Sequence, residues 1–162
     1  MKVSDATILM LGGDDARDDD HWLGRWGKRL STARTLAPDE PLSEAMREAR
    51  SPIVVVAHKD GVERLLKIAD EAPVRGAFLV APRGGRPMEE RDDPLPFPSI
   101  LVASRDDPDC SYGAAEGMGA RWGSEVLDAG AAGGLDAASG HGPWPEGLMV
   151  FAKFLSNLPR DS

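Results

Sequence analysis

Two apolar runs in this chain end in polar residues whose types and spacing could do chemistry. The first, Ile53-Val54-Val55-Val56-Ala57, stops at His58-Lys59-Asp60-Gly61, and helical spacing resumes at once in Val62 to Ala69. A buried strand that turns into a helix through x-His-x-x-Gly is the frame of a nucleophile elbow, which lifts one side chain above the sheet edge. A serine normally holds that place; here it is Lys59. The second run, Ser99-Ile100-Leu101-Val102-Ala103-Ser104, leads into Arg105-Asp106-Asp107-Pro108 and offers a carboxylate, Asp107, directly before a proline. An imidazole, His141, lies further on in a glycine-rich stretch. A carboxylate and an imidazole can share general acid–base work. A lysine becomes a nucleophile only as the neutral amine, which requires its pKa to fall well below about 10.4.

The elements that must position these groups follow from the hydrophobic pattern. Ala6 to Leu11 reads as the first strand, stopped by Gly12-Gly13. After the acidic loop Asp14 to Asp20, Trp22, Trp26 and Leu30 share one helical stripe, with Asp20 as the expected N-cap. Ala33 to Leu36 could be a short edge strand, and Pro41 to Arg50 a second helix. The elbow strand and its helix are expected to run to about Glu71. Arg75 to Ala81 and Ser99 to Ser104 read as further buried strands. Between them, Pro82 to Pro98 is loop, either functional or a shortened cap region. Ser111 to Trp122 is helical but weakened by Gly113, Gly117 and Gly119. Glu125 to Asp128 is a last strand, Ala129 to Trp144 a loop, and Pro145 to Leu158 a closing helix. Strands that alternate with helices predict a three-layer α/β fold: an open, mostly parallel sheet with helices on both faces, over one domain spanning residues 1–162. Sites in such sheets lie at the C-terminal ends of the strands.

Composition narrows the function. The net charge of −8 argues against nucleic acid, whose phosphates would repel the chain. No apolar run approaches the roughly 18 residues of a membrane span, and the start of the chain reads as a strand rather than a signal peptide. One cysteine, Cys110, excludes an internal disulfide and fits a reducing cytoplasm. Three scattered histidines and that cysteine give no zinc-type spacing, so no metal or other cofactor is expected. The acidic loop lacks the glycine and the distal glutamate of a calcium-binding EF loop and reads as solvated. His21, before a core tryptophan, is expected to make a local hydrogen bond, and Cys110 to be a packed thiol.

Three stretches reach beyond a generic α/β pattern. Val56-Ala57-His58-Lys59-Asp60-Gly61 looks like the hydrolase elbow, and Leu101 to Pro108 like the strand and turn of a triad acid. Ala137-Ala138-Ser139-Gly140-His141-Gly142-Pro143-Trp144-Pro145-Glu146-Gly147 looks like the segment after a triad histidine. With Asp20-His21-Trp22 they resemble the small, lidless α/β-hydrolases of the retinoblastoma-binding-protein-nine type, a serine-hydrolase family. The chain order elbow, acid, histidine fits that fold.

The resemblance implies a catalytic serine at position 59 and a histidine at position 134, where this chain has Lys59 and Gly134. Asp107 is the remaining triad acid. The oxyanion donors would be the N–H of Asp60 and one near Asp14, both now carboxylate-bearing positions. His58, Gly61, Ser139 and Trp144 would be scaffold around the pocket. The fold would ring Lys59 with Asp60, Asp107 and Asp136, which favour the ammonium form, so Lys59 reads as a plug held by ion pairs. The expectation is therefore a catalytically silent hydrolase fold that serves as a binding or regulatory module. Its partner would be another protein, such as an active paralogue, or a small polar or cationic ligand. The alternative is an esterase-like hydrolase with a rearranged site built on Asp107, with His141 as substitute base or Lys59 as nucleophile. A deliberately inactivated enzyme is a third reading; the acidic first loop speaks against it.

Overall fold

The computed structural model describes residues 1–159. Four strands, β1 (Thr7–Leu11), β3 (Ile53–His58), β4 (Val74–Val80) and β5 (Ser99–Ala103), are built almost wholly from aliphatic and β-branched residues. Nothing in them suits a solvent-facing side, so both faces of the sheet they form must be covered. They make the centre of a six-stranded sheet of order β2-β1-β3-β4-β5-β6, parallel throughout, with β2 (Ala33–Thr35) and β6 (Glu125–Asp128) at the edges.

Alternate residues on each strand serve opposite faces, as the pleat requires. Leu9, Leu11, Val55, Ala57, Leu79 and Leu101 pack beneath α2 (Leu42–Glu48), α3 (Asp60–Leu66) and α4 (Tyr112–Trp122). Ile8, Met10, Val54, Val56, Phe78 and Val102 pack beneath α1 (Trp22–Arg29) and α5 (Pro145–Asn157). The strand order reverses between β1 and β3, so the loop after β1 and the turn after β3 diverge above a crevice. That crevice is where open α/β sheets bind ligands.

The element boundaries depart from the sequence reading by a residue or two at several ends, and more at the end of α3. The N-cap of α1 is His21 rather than Asp20: its Nδ1 accepts the Leu23 N–H at 3.0 Å. This is the local hydrogen bond expected of that histidine. Helix α3 stops at Leu66, and the next residues tighten into turns in which the N–H groups of Ile68 and Glu71 bond back three residues. The 82–98 segment is the expected loop apart from a single 3-10 turn at Met88–Glu90, and it packs Met88, Leu95 and Phe97 into the core beside Trp122. No helix among the described residues is long and apolar enough to cross a membrane.

Close approach of α3 to β1 depends on one glycine. A Cβ at Gly61 would drive into the backbone carbonyl of Leu11. Gly113, in contrast, has open space around the place its Cβ would take. Gly61→Ala is expected to cost about 2–3 kcal/mol in urea unfolding. Gly113→Ala should leave stability unchanged or raise it by up to about 1 kcal/mol. Equal effects of the two substitutions would contradict this packing.

Candidate functional site

Lys59 sits between β3 and α3 with φ 50° and ψ −111°, a conformation that non-glycine residues rarely adopt. Such a residue costs on the order of 1–3 kcal/mol and persists only when its surroundings enforce it. Here the Lys59 N–H donates to Val80 O at 3.2 Å, and Lys59 O accepts the Val62 N–H at 3.0 Å. With Gly61 pressed on Leu11, the chain passes from strand to helix without a spare residue. The Lys59 side chain is thereby held at the crevice.

Its ammonium is fully engaged. Nζ donates to Asp107 Oδ1 at 2.9 Å and Oδ2 at 3.1 Å, and lies 3.0 Å from Asp109 Oδ2. A lysine has three donors, and three carboxylate oxygens meet them. The Lys59 and Asp107 side chains are only 8% and 3% exposed, so this is a buried pair. Asp107 Oδ1 also accepts the Asp109 N–H at 2.9 Å, which sets the turn. Arg83 extends the chain of charges, with Nη1 3.2 Å from Asp109 Oδ2 and Nε donating to Asp60 Oδ1 at 2.7 Å. The hydrogen bond from Lys59 holds the Asp109 carboxyl below the usual carboxylate range. Asp109 and Arg83 went unrecognised in the sequence. The one available signal for Asp109 was its spacing of two residues from Asp107.

Position 134 faces this ammonium. A Cβ on Gly134 would lie 3.3 Å from Lys59 Nζ and 2.7 Å from Asp136 Oδ2. The lysine stem therefore fills the space into which a side chain at 134 would project, and its head reaches Asp107 directly. The end of β5 fixes the loop that carries Gly134. Asp106 Oδ1 accepts the Gly133 N–H at 2.7 Å, and Ser104 Oγ accepts that of Ala132 at 3.0 Å. Beyond it, the Ser139 and Asp136 side chains each accept the other's N–H at 3.0 Å. Trp22 Nε1 donates to Leu135 O at 2.7 Å from below.

Two buried histidines support the floor. His58 Nε2 donates to Gly134 O at 2.9 Å, and burial pushes its pKa down to about 3, so the ring is neutral. His21 stacks edge-on against it, with centroids 4.9 Å apart, and burial lowers its pKa too. Since His21 Nδ1 is an acceptor, Nε2 carries the proton. That N–H has no hydrogen-bond partner, the Asp15 carboxylate standing 3.8 Å away.

What space is left above Lys59 is small and polar. A cavity of about 120 Å³ is bounded by Gly13, Asp15, His58, Lys59, Asp60, Arg83, Asp109 and Asp136, four carboxylates against two cations. From the first loop, Gly13 and Asp15 border it; Asp14 is exposed and does not. His141 and Trp144 line a different cavity, and His141 Nδ1 lies 3.3 Å from Ser139 Oγ. The Cys110 thiol is buried, donates to Ser111 O at 3.5 Å, and is pushed up in pKa by that burial. No group of three His, Cys, Asp or Glu among the described residues could hold a metal ion.

The elbow at the switch point of a parallel sheet, with the acid turn beside it, is the architecture of an α/β-hydrolase. The family model described as serine hydrolase matches residues 8–153, and the chain belongs to that family. A YdeN-like hydrolase of Pectobacterium atrosepticum superposes with a TM-score of 0.88 at 26% identity, over 97% of this chain and 95% of that one. The ydeN gene product of B. subtilis gives 0.71 at 16% identity, covering 93% of this chain and 98% of that one. An esterase domain from Rhodothermus marinus gives 0.69 at 14% identity, over 95% and 88%. The last two likenesses concern the fold. No curated protein sequence gives a significant match.

Two outcomes test the energetics of the site. Lys59→Met strands the buried Asp107 carboxylate and is expected to cost about 3–5 kcal/mol. Adding Asp107→Asn should return more than about 1 kcal/mol of that loss, read as a coupling energy from urea unfolding of both single variants and the double variant. Acid should also weaken the fold through His58. Its folded pKa of about 3 lies below the ordinary 6.5, so the unfolded chain binds the proton first. Stability is then complete above pH 6.5 and falls below it by about 1 kcal/mol per pH unit, with His21 adding in the same direction. Urea midpoints at pH 7.5, 6 and 5 measure this, and a flat profile would contradict the buried neutral pair.

Proposed function

We propose that this chain is a catalytically silent member of the serine hydrolase family that acts as a binding or regulatory module. The observation that carries this reading is the direct contact of Lys59 with Asp107, 2.9 Å apart and buried. Acyl transfer on this fold needs a hydroxyl, a base to take its proton, and N–H donors for the oxyanion. Position 59 offers an ammonium whose donors are all in use, and position 134 has no side chain. In subtilisin, loss of the serine or histidine alone costs roughly a millionfold in turnover. The carboxylates of Asp15, Asp60 and Asp136 around the cavity would also oppose a developing oxyanion.

A rearranged hydrolase finds less support. Asp107 has both oxygens committed, and His141 belongs to another cavity. Lys59 would have to leave two carboxylates to attack a carbonyl. The Ser139 to Gly147 run supports a place among the small lidless enzymes of the retinoblastoma-binding-protein-nine type, with residues 1–162 as one domain. The acidic lining of the old pocket suits a small polar or cationic ligand, and an active paralogue is the protein partner to seek. A buried free thiol at Cys110 fits a cytoplasmic setting.

Turnover of short-chain p-nitrophenyl esters by the wild type and by Asp107→Ala tests the proposal. Neither is expected to exceed the background of buffer and serum albumin. Turnover by the wild type that Asp107→Ala abolishes would establish a rebuilt catalytic site and end the silent reading.

A further inference from the structure

Helix α5 has two sides of different character. Gly147, Phe151, Phe154 and Leu155 are buried against the sheet. Glu146, Met149, Val150 and Lys153, at i, i+3, i+4 and i+7, share one stripe on the other side. Met149 is the one large hydrophobic residue left exposed among those described, at 74%. Beside this stripe the sheet ends without cover. β6 is an edge strand, and two cavities, of about 500 and 650 Å³, lie between it and α5. Leu127 of β6 and Val150 of α5 line both, so the two adjoin as one groove along the strand. An exposed methionine next to a partly open apolar groove puts a knob and a hole on the same surface.

The charges of the stripe say what covers it. Glu146 precedes Met149, and Lys153 follows Val150, by the same three residues. Neither side chain has an ion pair or hydrogen bond among the described residues. A two-fold axis between Met149 and Val150 lays the α5 of a second copy antiparallel on the first. Each Glu146 then falls opposite the other copy's Lys153, both about 5 Å along the helix from the axis. The same operation sets each Met149 against the other copy's Val150, at the mouth of its groove. A two-fold interface has to be complementary to itself, and this stripe is: acid matches base and knob matches hole. Parallel packing would instead set Glu146 on Glu146 and Lys153 on Lys153, so charge selects the antiparallel arrangement. We propose that the chain forms a homodimer through antiparallel packing of α5 on the α5 of a second copy. An interface centred on one helix is small, and a Kd on the order of 10–100 µM is expected. Repulsion between two chains of net charge −8 is screened at physiological salt, where the Debye length is about 8 Å. No residue of the stripe borders the cavity above Lys59, and the dimer does not rest on the chain being catalytically silent.

The test is sedimentation velocity of the full chain from about 5 to about 500 µM in about 0.15 M salt. The weight-average mass is expected to climb from monomer towards dimer across this range. Met149→Asp, at an exposed position, should weaken association at least about tenfold. Glu146→Lys and Lys153→Glu each place like charges across the axis and should each weaken it by a similar factor, about tenfold or more. An equimolar mixture of these two variants restores both ion pairs in a heterodimer and should associate within about threefold of the wild type. The double variant carrying both substitutions on one chain should do the same. This rescue separates a specific two-fold contact from a general effect of net charge, and circular dichroism checks that every variant is folded. The proposal is overturned if the wild type remains a monomer at about 500 µM. A dimer indifferent to Met149→Asp, or folded charge variants that fail to pair with each other, overturns it as well. Ester turnover plays no part in these readouts, so they fail or succeed independently of the catalytic question.

Discussion

The contact between Lys59 and Asp107 joins two turns 48 residues apart and decides what this crevice is. A buried charge pair is a costly thing to build, since removing both ions from water can outweigh their mutual attraction. What makes it tenable is completeness. Asp107 and Asp109 between them satisfy every donor of the ammonium, the Asp109 N–H fixes one Asp107 oxygen, and Arg83 offsets the extra negative charge on Asp109. The same contacts engage Lys59 and Asp107 with each other at the elbow, while the His21 Nε2–H at the floor of the crevice has no hydrogen-bond partner.

The elbow geometry that presents Lys59 is set by the path of the chain from β3 into α3. A positive φ at a lysine has a cost, yet the tight path from β3 into α3 requires it, since Gly61 must touch Leu11 and β3 must keep its register with β4. The strain belongs to the sheet's construction as much as to any reaction. The neutral histidines beneath it follow the same logic. His58 ties β3 to the Gly134 carbonyl, and His21 caps α1, so the loops of the crevice are held by groups that burial keeps uncharged. The cavity above Lys59 is small, about 120 Å³, while a larger one of about 500 Å³ lies on the α5 side, beside Trp144.

Much of this was legible in the chain. The aliphatic runs admit only buried parallel strands, because no polar alternation exists to face water, and the turn chemistry at Gly12-Gly13, Gly61 and Pro108 marks where they end. The pairing of a lysine elbow with a glycine at position 134 could be read by aligning motifs. Other features could not be read this way. Asp20 looked the better cap by residue type, but His21 is placed by its packing against His58 to accept from Leu23. The proline-rich segment 82–98 is the loop it looked like, but its burial of Met88, Leu95 and Phe97 in the core could not be read, because the three have no period. His141 looked like a spare base, but it lies against Ser139 and lines a cavity that neither Lys59 nor Asp107 borders.

By itself the sequence determined the layer architecture, the strand order's carboxyl-end crevice and the chemical types available there, since these depend on hydrophobic period and local turn rules. Tertiary structure decided which charges meet. Asp109 and Arg83 join Lys59, Asp14 stays in solvent, and Trp144 walls a separate cavity. Ion pairing depends on distances of a few ångströms between residues far apart in the chain, and no local pattern encodes those distances.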